Sequence, residues 1–182
     1  MNKVADFFDT LADRWDELCY HDPEKLNDIL QRTGLRKGLR ILDIGCGTGV
    51  LESYLLPYSP LQIVGVDISP EMIEKARSKY ATPIVDFRCQ DVRDIRGESF
   101  DYIIAYSVFP HFQKPEKLIS HLAGLLPANW WSATAKAATG STDTMTSMPE
   151  NSRKDCLPWK NWHACYPLSS LSTRWKTVTG SI

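Results

Sequence analysis

The run Ile41-Leu-Asp-Ile-Gly-Cys-Gly-Thr-Gly49 constrains the fold of this chain more than any other stretch. A short apolar strand, Leu39 to Ile44, runs into glycines at 45, 47 and 49, where the missing side chains let the backbone turn sharply and approach a ligand closely. One strand, turn and helix later, a second strand, Gln62 to Val66, ends in Asp67. An acid at that place in a nucleotide-binding βαβ unit accepts hydrogen bonds from ribose hydroxyls, a charge-assisted bond of about 1.5–3 kcal/mol. Strands and helices alternate up to residue 127, the order of a parallel, doubly wound α/β sheet.

The glycine spacing separates two kinds of nucleotide ligand. A dinucleotide fingerprint is G-x-G-x-x-G, with its third glycine packing a helix on the strand and the helix N-terminus meeting a pyrophosphate. Here the spacing is G-x-G-x-G, and Asp43 sits two residues before the first glycine. That acid repels a pyrophosphate but suits the ammonium and sulfonium charges of S-adenosylmethionine. An NAD-dependent oxidoreductase on a Rossmann sheet is the alternative, served by Gly45, Gly47 and Asp67 but opposed by Asp43 and the final glycine spacing.

Asp43-Ile-Gly-Cys-Gly-Thr-Gly49 resembles the first motif of class I S-adenosylmethionine-dependent methyltransferases, and Val66-Asp-Ile-Ser-Pro-Glu-Met72 resembles the second. Asp86-Phe-Arg-Cys-Gln-Asp-Val92 is similar to the segment whose acid meets the adenine amino group, and Ser99-Phe-Asp-Tyr-Ile-Ile-Ala105 to the fourth strand. The resemblance covers roughly residues 1–127 and implies a Rossmann-like methyltransferase fold with S-adenosylmethionine as cofactor. It implies that Asp43, Gly45, Gly47 and Gly49 line the methionine moiety, with Cys46 of the same turn in the cofactor-binding set. Asp67 then holds the ribose, Ile68 and Met72 flank the adenine, and Asp91 with the backbone of Val92 reads its edge. The bland alternative is a glycine-rich turn without a ligand.

Ahead of this core (residues 35–127), residues 1–34 read as a helical cap. From Val4 to Leu18, Phe7, Phe8, Leu11, Trp15 and Leu18 recur at three- and four-residue steps, as in an amphipathic helix. In the methyltransferases this chain resembles, such a helix often lies over the cofactor, which would bring Trp15, Tyr20 and His21 near the substrate. Phe7 and Phe8 read more simply as core packing, and Trp15 fits either role. A second helix runs from about Pro23 to Gln31, and Ser69-Pro-Glu-Met marks another helix start. After the fourth strand, Tyr106-Ser-Val-Phe-Pro-His-Phe112 forms a loop at the carboxyl end of the sheet, where ligands bind in such folds. His111 is the histidine nominated there as general base, against a structural role in an aromatic loop. The loop lacks an Asn/Asp-Pro-Pro-Tyr type motif, which in the family marks adenine and glutamine amide methylation. The expected acceptor is therefore a small molecule presenting an O, N or C nucleophile.

A formal net charge of -1 gives no electrostatic reason to expect nucleic acid as a partner. No apolar run approaches the about 20 residues that cross a bilayer, and the N-terminus lacks the apolar core of a signal peptide, so the cytoplasm is the expected compartment. Cysteines at 19, 46, 89, 156 and 165 form neither a disulfide framework nor a common zinc spacing, and no metal is expected. Cys156, His163 and Cys165 lack a fourth ligand at a usual spacing. Oligomeric state is left open.

The chain changes character after Pro127. Five of the six tryptophans fall beyond residue 128, amid Ser, Thr, Pro and Lys without helical or strand period, where the family places a fifth apolar strand. Reading each codon as the third base of one residue plus the first two of the next forces informative outcomes. Asn129 into Trp130 gives leucine and Trp130 into Trp131 gives valine; Trp159 into Lys160 gives glutamate and Asn161 into Trp162 leucine. An apolar strand and an amphipathic helix reappear. The atypical tail of residues 128–182 is thus expected to be out of frame or disordered, and the fold incomplete after the fourth strand, so that a non-catalytic remnant of a methyltransferase is a further alternative. A resequenced gene carrying this frame without an insertion or deletion, with relatives sharing the tail, would sink the frameshift.

Overall fold

Four strands form the centre of the computed structural model, which describes residues 2–127: β1 (Arg40–Ile44), β2 (Gln62–Asp67), β3 (Val85–Cys89) and β4 (Tyr102–Ile104). All neighbouring pairs are parallel, in the order β3-β2-β1-β4. The order reverses between β1 and β4, and in open α/β sheets ligands bind outside the strand ends at such a reversal. Ile44 pairs with Val66, so Gly45 and Asp67 leave the sheet side by side. The expected doubly wound, Rossmann-like sheet is the observed one. The expected tail, residues 128–182, lies outside the described residues.

Alternate residues of the strands feed two apolar layers. Leu42, Ile44, Val64 and Val66 face one side with Ile103 and pack against Leu118 and Leu122 of the last helix (Pro115–Gly124). Ile41, Ile63, Tyr102 and Ile104 face the other, against Leu26 and Leu30 of Pro23–Arg32 and Leu51 and Leu55 around Glu52–Leu55. Burying a side chain of this size contributes about 1.5–3 kcal/mol each before entropy is counted. The phenol of Tyr102, deep in the second layer, donates to Thr33 Oγ1 at 2.6 Å and so carries no unmet polar group inward.

The helices are α1 (Lys3–Leu11), α2 (Trp15–Leu18), α3 (Pro23–Arg32), α4 (Glu52–Leu55), α5 (Pro70–Lys79) and α6 (Pro115–Gly124). Their starts follow local chemistry. Ser69 Oγ accepts from the Met72 amide at 3.1 Å, and Asp22 Oδ1 accepts from Glu24 at 3.0 Å and Lys25 at 3.4 Å, with proline next in both. The single helix expected from Val4 to Leu18 is instead broken by a 3₁₀ turn at Ala12–Arg14. The break re-aims Trp15 and Asp16 at the glycine turn, where Asp16 Oδ1 accepts from Thr48 Oγ1 at 2.5 Å. A tertiary contact overrides the helical period there.

Candidate active site

The glycine turn after β1 is fastened to the end of β2 as one unit. Gly45 and Cys46 donate their amides to the Val66 carbonyl at 2.8 and 3.2 Å, and Gly47 donates to Asp67 Oδ2 at 3.0 Å. Asp67 Oδ1 accepts from the Ser69 amide at 2.9 Å. Burial pushes the Asp67 carboxyl up, while the amides of Ser69, Gly47 and Ile68 pull it back and Asp9 adds a like charge. A carboxylate offers about four lone-pair sites. Even with these amides, Asp67 keeps capacity for a hydroxyl donor.

Around this unit lies a cavity of about 250 Å³. Its floor and one wall include Gly45, Cys46, Gly47, Asp67, Ile68, Met72, Asp91 and Val92, eight of the ten residues expected to bind the cofactor. Asp43 and Gly49 do not line it. Asp43 is buried beneath the turn, and Gly49 faces Tyr80, Glu52 and Phe87. Asp43 Oδ2 and both carboxylate oxygens of buried Glu52 have no hydrogen-bond partner among the described residues. Burial, with the charges of Glu52 and Asp67, raises Asp43 well above the usual carboxylate range, and burial raises Glu52 to about 7. Buried acidity thus collects under the turn.

Asp91 caps a short 3₁₀ turn, accepting from the Arg93 amide at 2.9 Å, and Arg93 Nη2 lies 2.5 Å from its Oδ2. That pairing holds the Asp91 carboxyl below its ordinary value, against a smaller opposing effect of burial. The Val92 carbonyl is met by His121 Nε2 at 2.9 Å.

The opposite wall comes from the cap and the loop after β4: Phe7, Phe8, Trp15, Tyr106, Val108 and Phe112. Phe7 and Phe8, expected to pack in the core, are instead half-buried and face the cavity. Trp15 lies over the glycine turn, its Nε1 3.6 Å from where a Gly47 side chain would begin. Tyr20, expected near the substrate, stands 74% exposed and outside the lining. His111 and His21 both line the cavity. His111 meets Phe8 edge-on at 5.1 Å, and burial lowers its pKa. The structure adds Tyr106 and Val108, which the sequence left as an unspecified stretch of loop; an aromatic following the fourth strand was the available signal.

Among the described residues no group of His, Cys, Asp and Glu is placed to hold a metal ion, and no helix is long and apolar enough to cross a membrane.

Comparison with known proteins agrees with this geometry. Residues 41–129 match the family described as a methyltransferase domain. The ubiquinone biosynthesis O-methyltransferase of Xanthomonas campestris pv. campestris is 32% identical over 133 residues, spanning 66% of this chain and 55% of that protein. The chain spans about half the length of the curated relatives it matches. Magnesium protoporphyrin IX methyltransferase from Synechocystis, solved with bound S-adenosylmethionine, superposes with a TM-score of 0.57 at 27% identity, over 68% of this chain and 70% of that one. A Haloferax volcanii putative methyltransferase, solved in complex with the activator Trm112, shares the fold, with a TM-score of 0.62 at 23% identity over 72% and 59% of the two chains. Residues 41–129 thus carry a methyltransferase domain, the class of protein that the fold and the cavity define, and its relatives include a methyltransferase solved with bound S-adenosylmethionine.

Proposed function

We propose that the chain binds S-adenosylmethionine against the Gly45–Gly47 turn and transfers its methyl group to a small-molecule acceptor. The observation that carries this is the bond from the Gly47 amide to Asp67, which sets a ligand-sized bare turn and a ribose-competent carboxylate in one cavity. Asp67 takes the ribose hydroxyls, Ile68 and Met72 flank the base, and Asp91 with Val92 meets its edge. Asp43 and Glu52 lie behind the turn, where a cationic ligand favours their ionisation and a pyrophosphate opposes it. The cofactor supplies an already activated methyl carbon, so the chain's share is to align the acceptor and exclude water.

Residues 1–34 serve as the cap over the 35–127 core. The cap's Phe7, Phe8 and Trp15 line the same cavity as the glycine turn, so that cap and core together bound the ligand. The acceptor is small and apolar to match the aromatic wall, not nucleic acid, and reduced cysteines fit action in the cytoplasm.

Calorimetric titration with S-adenosylhomocysteine, with NAD as the parallel control, tests the reading. Micromolar binding of the first alone, weakened at least tenfold in Asp67→Ala, is expected. Equal binding of NAD, or an Asp67→Ala protein that binds unchanged, would overturn it.

A further inference from the structure

Two histidines reach the cavity, and they are held differently. His111 has no side-chain hydrogen bond among the described residues and sits edge-on to Phe8. His21, just before α3, has its Nδ1 3.4 Å from the phenolic oxygen of Tyr106 in the loop after β4, with ring centroids 5.4 Å apart. The two residues are far apart in sequence, and both line the cavity. We infer that His21, oriented by Tyr106, is the general base of this site and that the acceptor is a compact aromatic bearing an ionisable hydroxyl. This deepens the methyltransferase reading above and rests on it.

One of the two His21 tautomers serves this role. With Nδ1–H donating to the Tyr106 oxygen, Nε2 keeps its lone pair for the cavity, and the same bond persists when both nitrogens are protonated. The aromatic wall of Phe7, Phe8, Trp15 and Phe112 suits a flat apolar acceptor, whose hydroxyl is the group needing deprotonation. In the transfer, the acceptor oxygen forms a bond to the methyl carbon as the carbon–sulfur bond breaks and its electron pair returns to sulfur. The acceptor proton passes to His21 Nε2. The positive charge thus moves from sulfur to the imidazolium, which then releases the proton to water.

Groups facing the pair are Asp16 of α2, Cys19 and Asp22 on the same segment, Tyr54 of α4, and His111 across the cavity. Burial lowers the His21 pKa, and the Asp16 charge opposes it. His21 is therefore neutral, and able to accept a proton, at neutral pH. Burial raises the Tyr106 phenol, which stays protonated as a partner.

The test uses 4-nitrophenol, which is colourless when protonated and yellow as phenolate, added to the full chain saturated with S-adenosylhomocysteine, near the ordinary imidazole pKa of about 6.5. The charge of a phenolate bound beside it favours the imidazolium form of His21, so proton transfer predicts a phenolate band beyond that of free probe. The band falls at least tenfold in His21→Gln, weakens in Tyr106→Phe and survives in His111→Gln, while S-adenosylhomocysteine binds all four proteins alike. A band that survives in His21→Gln, one lost instead in His111→Gln, or no band from a protein saturated with S-adenosylhomocysteine would overturn the assignment. Failure of S-adenosylhomocysteine to bind at all would overturn the cofactor reading itself, and calorimetry registers that separately.

Discussion

Gly45 and Gly38 both adopt left-handed backbone, with φ of +66° and +79°, yet they differ in what a side chain would meet. A Cβ on Gly38 finds open space, whereas one on Gly45 would stand 2.3 Å from Val108 Cγ2. Gly38→Ala should therefore cost only the left-handed strain, about 1 kcal/mol. Gly45→Ala adds overpacking between the turn and the β4 loop and should cost about 3 kcal/mol, with loss of S-adenosylhomocysteine binding. Urea melts and calorimetry of the two variants check this; equal losses would mean that Val108 gives way freely. At this scale the site was largely legible in the sequence where its residues lie on one βαβ unit. The spacing of Gly45, Gly47 and Asp67 is local, and their hydrogen bonds follow from it. Asp43 and Gly49 sit in the same motif but outside the cavity, Asp43 buried in β1 beneath the turn and Gly49 facing Tyr80, Glu52 and Phe87, contacts that the motif spacing does not encode. Tyr106 and His21 meet only through the fold, and no local spacing announces that meeting.

Among the elements, the cap packs Leu26 and Leu30 of α3 into the core, while its first part, α1 and α2, is also fastened by polar contacts. Asp9 accepts from Ser69 Oγ at 2.5 Å, Asp13 pairs with Lys75 at 2.6 Å, and Asp16 binds both Thr48 and Lys79. The helix cap at Ser69 was readable because a cap is written within four residues. The break at Ala12–Arg14 was not, since its cause is the distant Thr48. Of the three aspartates, Asp16 ties the cap to the glycine turn itself, so its loss should free the segment around Trp15. Asp16→Ala is expected to speed hydrogen exchange across residues 12–19 about tenfold, in keeping with a lost hydrogen bond of roughly 1–1.5 kcal/mol. Asp13→Ala, which removes an exposed pair screened by salt, should leave that exchange nearly unchanged. Similar acceleration in both would place the fastening of the cap in general charge rather than in the Thr48 contact.

For the whole molecule, the buried acidity beneath the turn sets a pH dependence opposite to that of a paired surface carboxylate. Glu52 moves from an ordinary 4.5 to about 7 because burial penalises its charge, and the raised Asp43 acts in the same direction. An acid with a raised folded-state pKa keeps its proton longer in the fold than in the unfolded chain. The unfolded state then binds fewer protons between the two values, so stability falls as pH rises through that window. For Glu52 the loss begins near 4.5 and is complete above about 7, on the order of 3 kcal/mol at most. Carboxylates held low by cations, such as Asp91 and Glu98, act below this window and do not confuse it. Glu52→Gln removes the titrating group while keeping the shape. Its unfolding free energy should match wild type near pH 4.5 and exceed it by about 2–3 kcal/mol at pH 8. Parallel stability curves for the two proteins across this range would show that Glu52 stays charged in the fold and finds a partner there. The same strain bears on the ligand: a cation bound above the turn repays part of the cost of ionising Asp43 and Glu52, which a neutral thioether does not. S-adenosylmethionine should therefore raise the melting temperature more than S-adenosylhomocysteine at equal saturation above pH 7, and the difference should shrink toward pH 5 as the acids regain their protons.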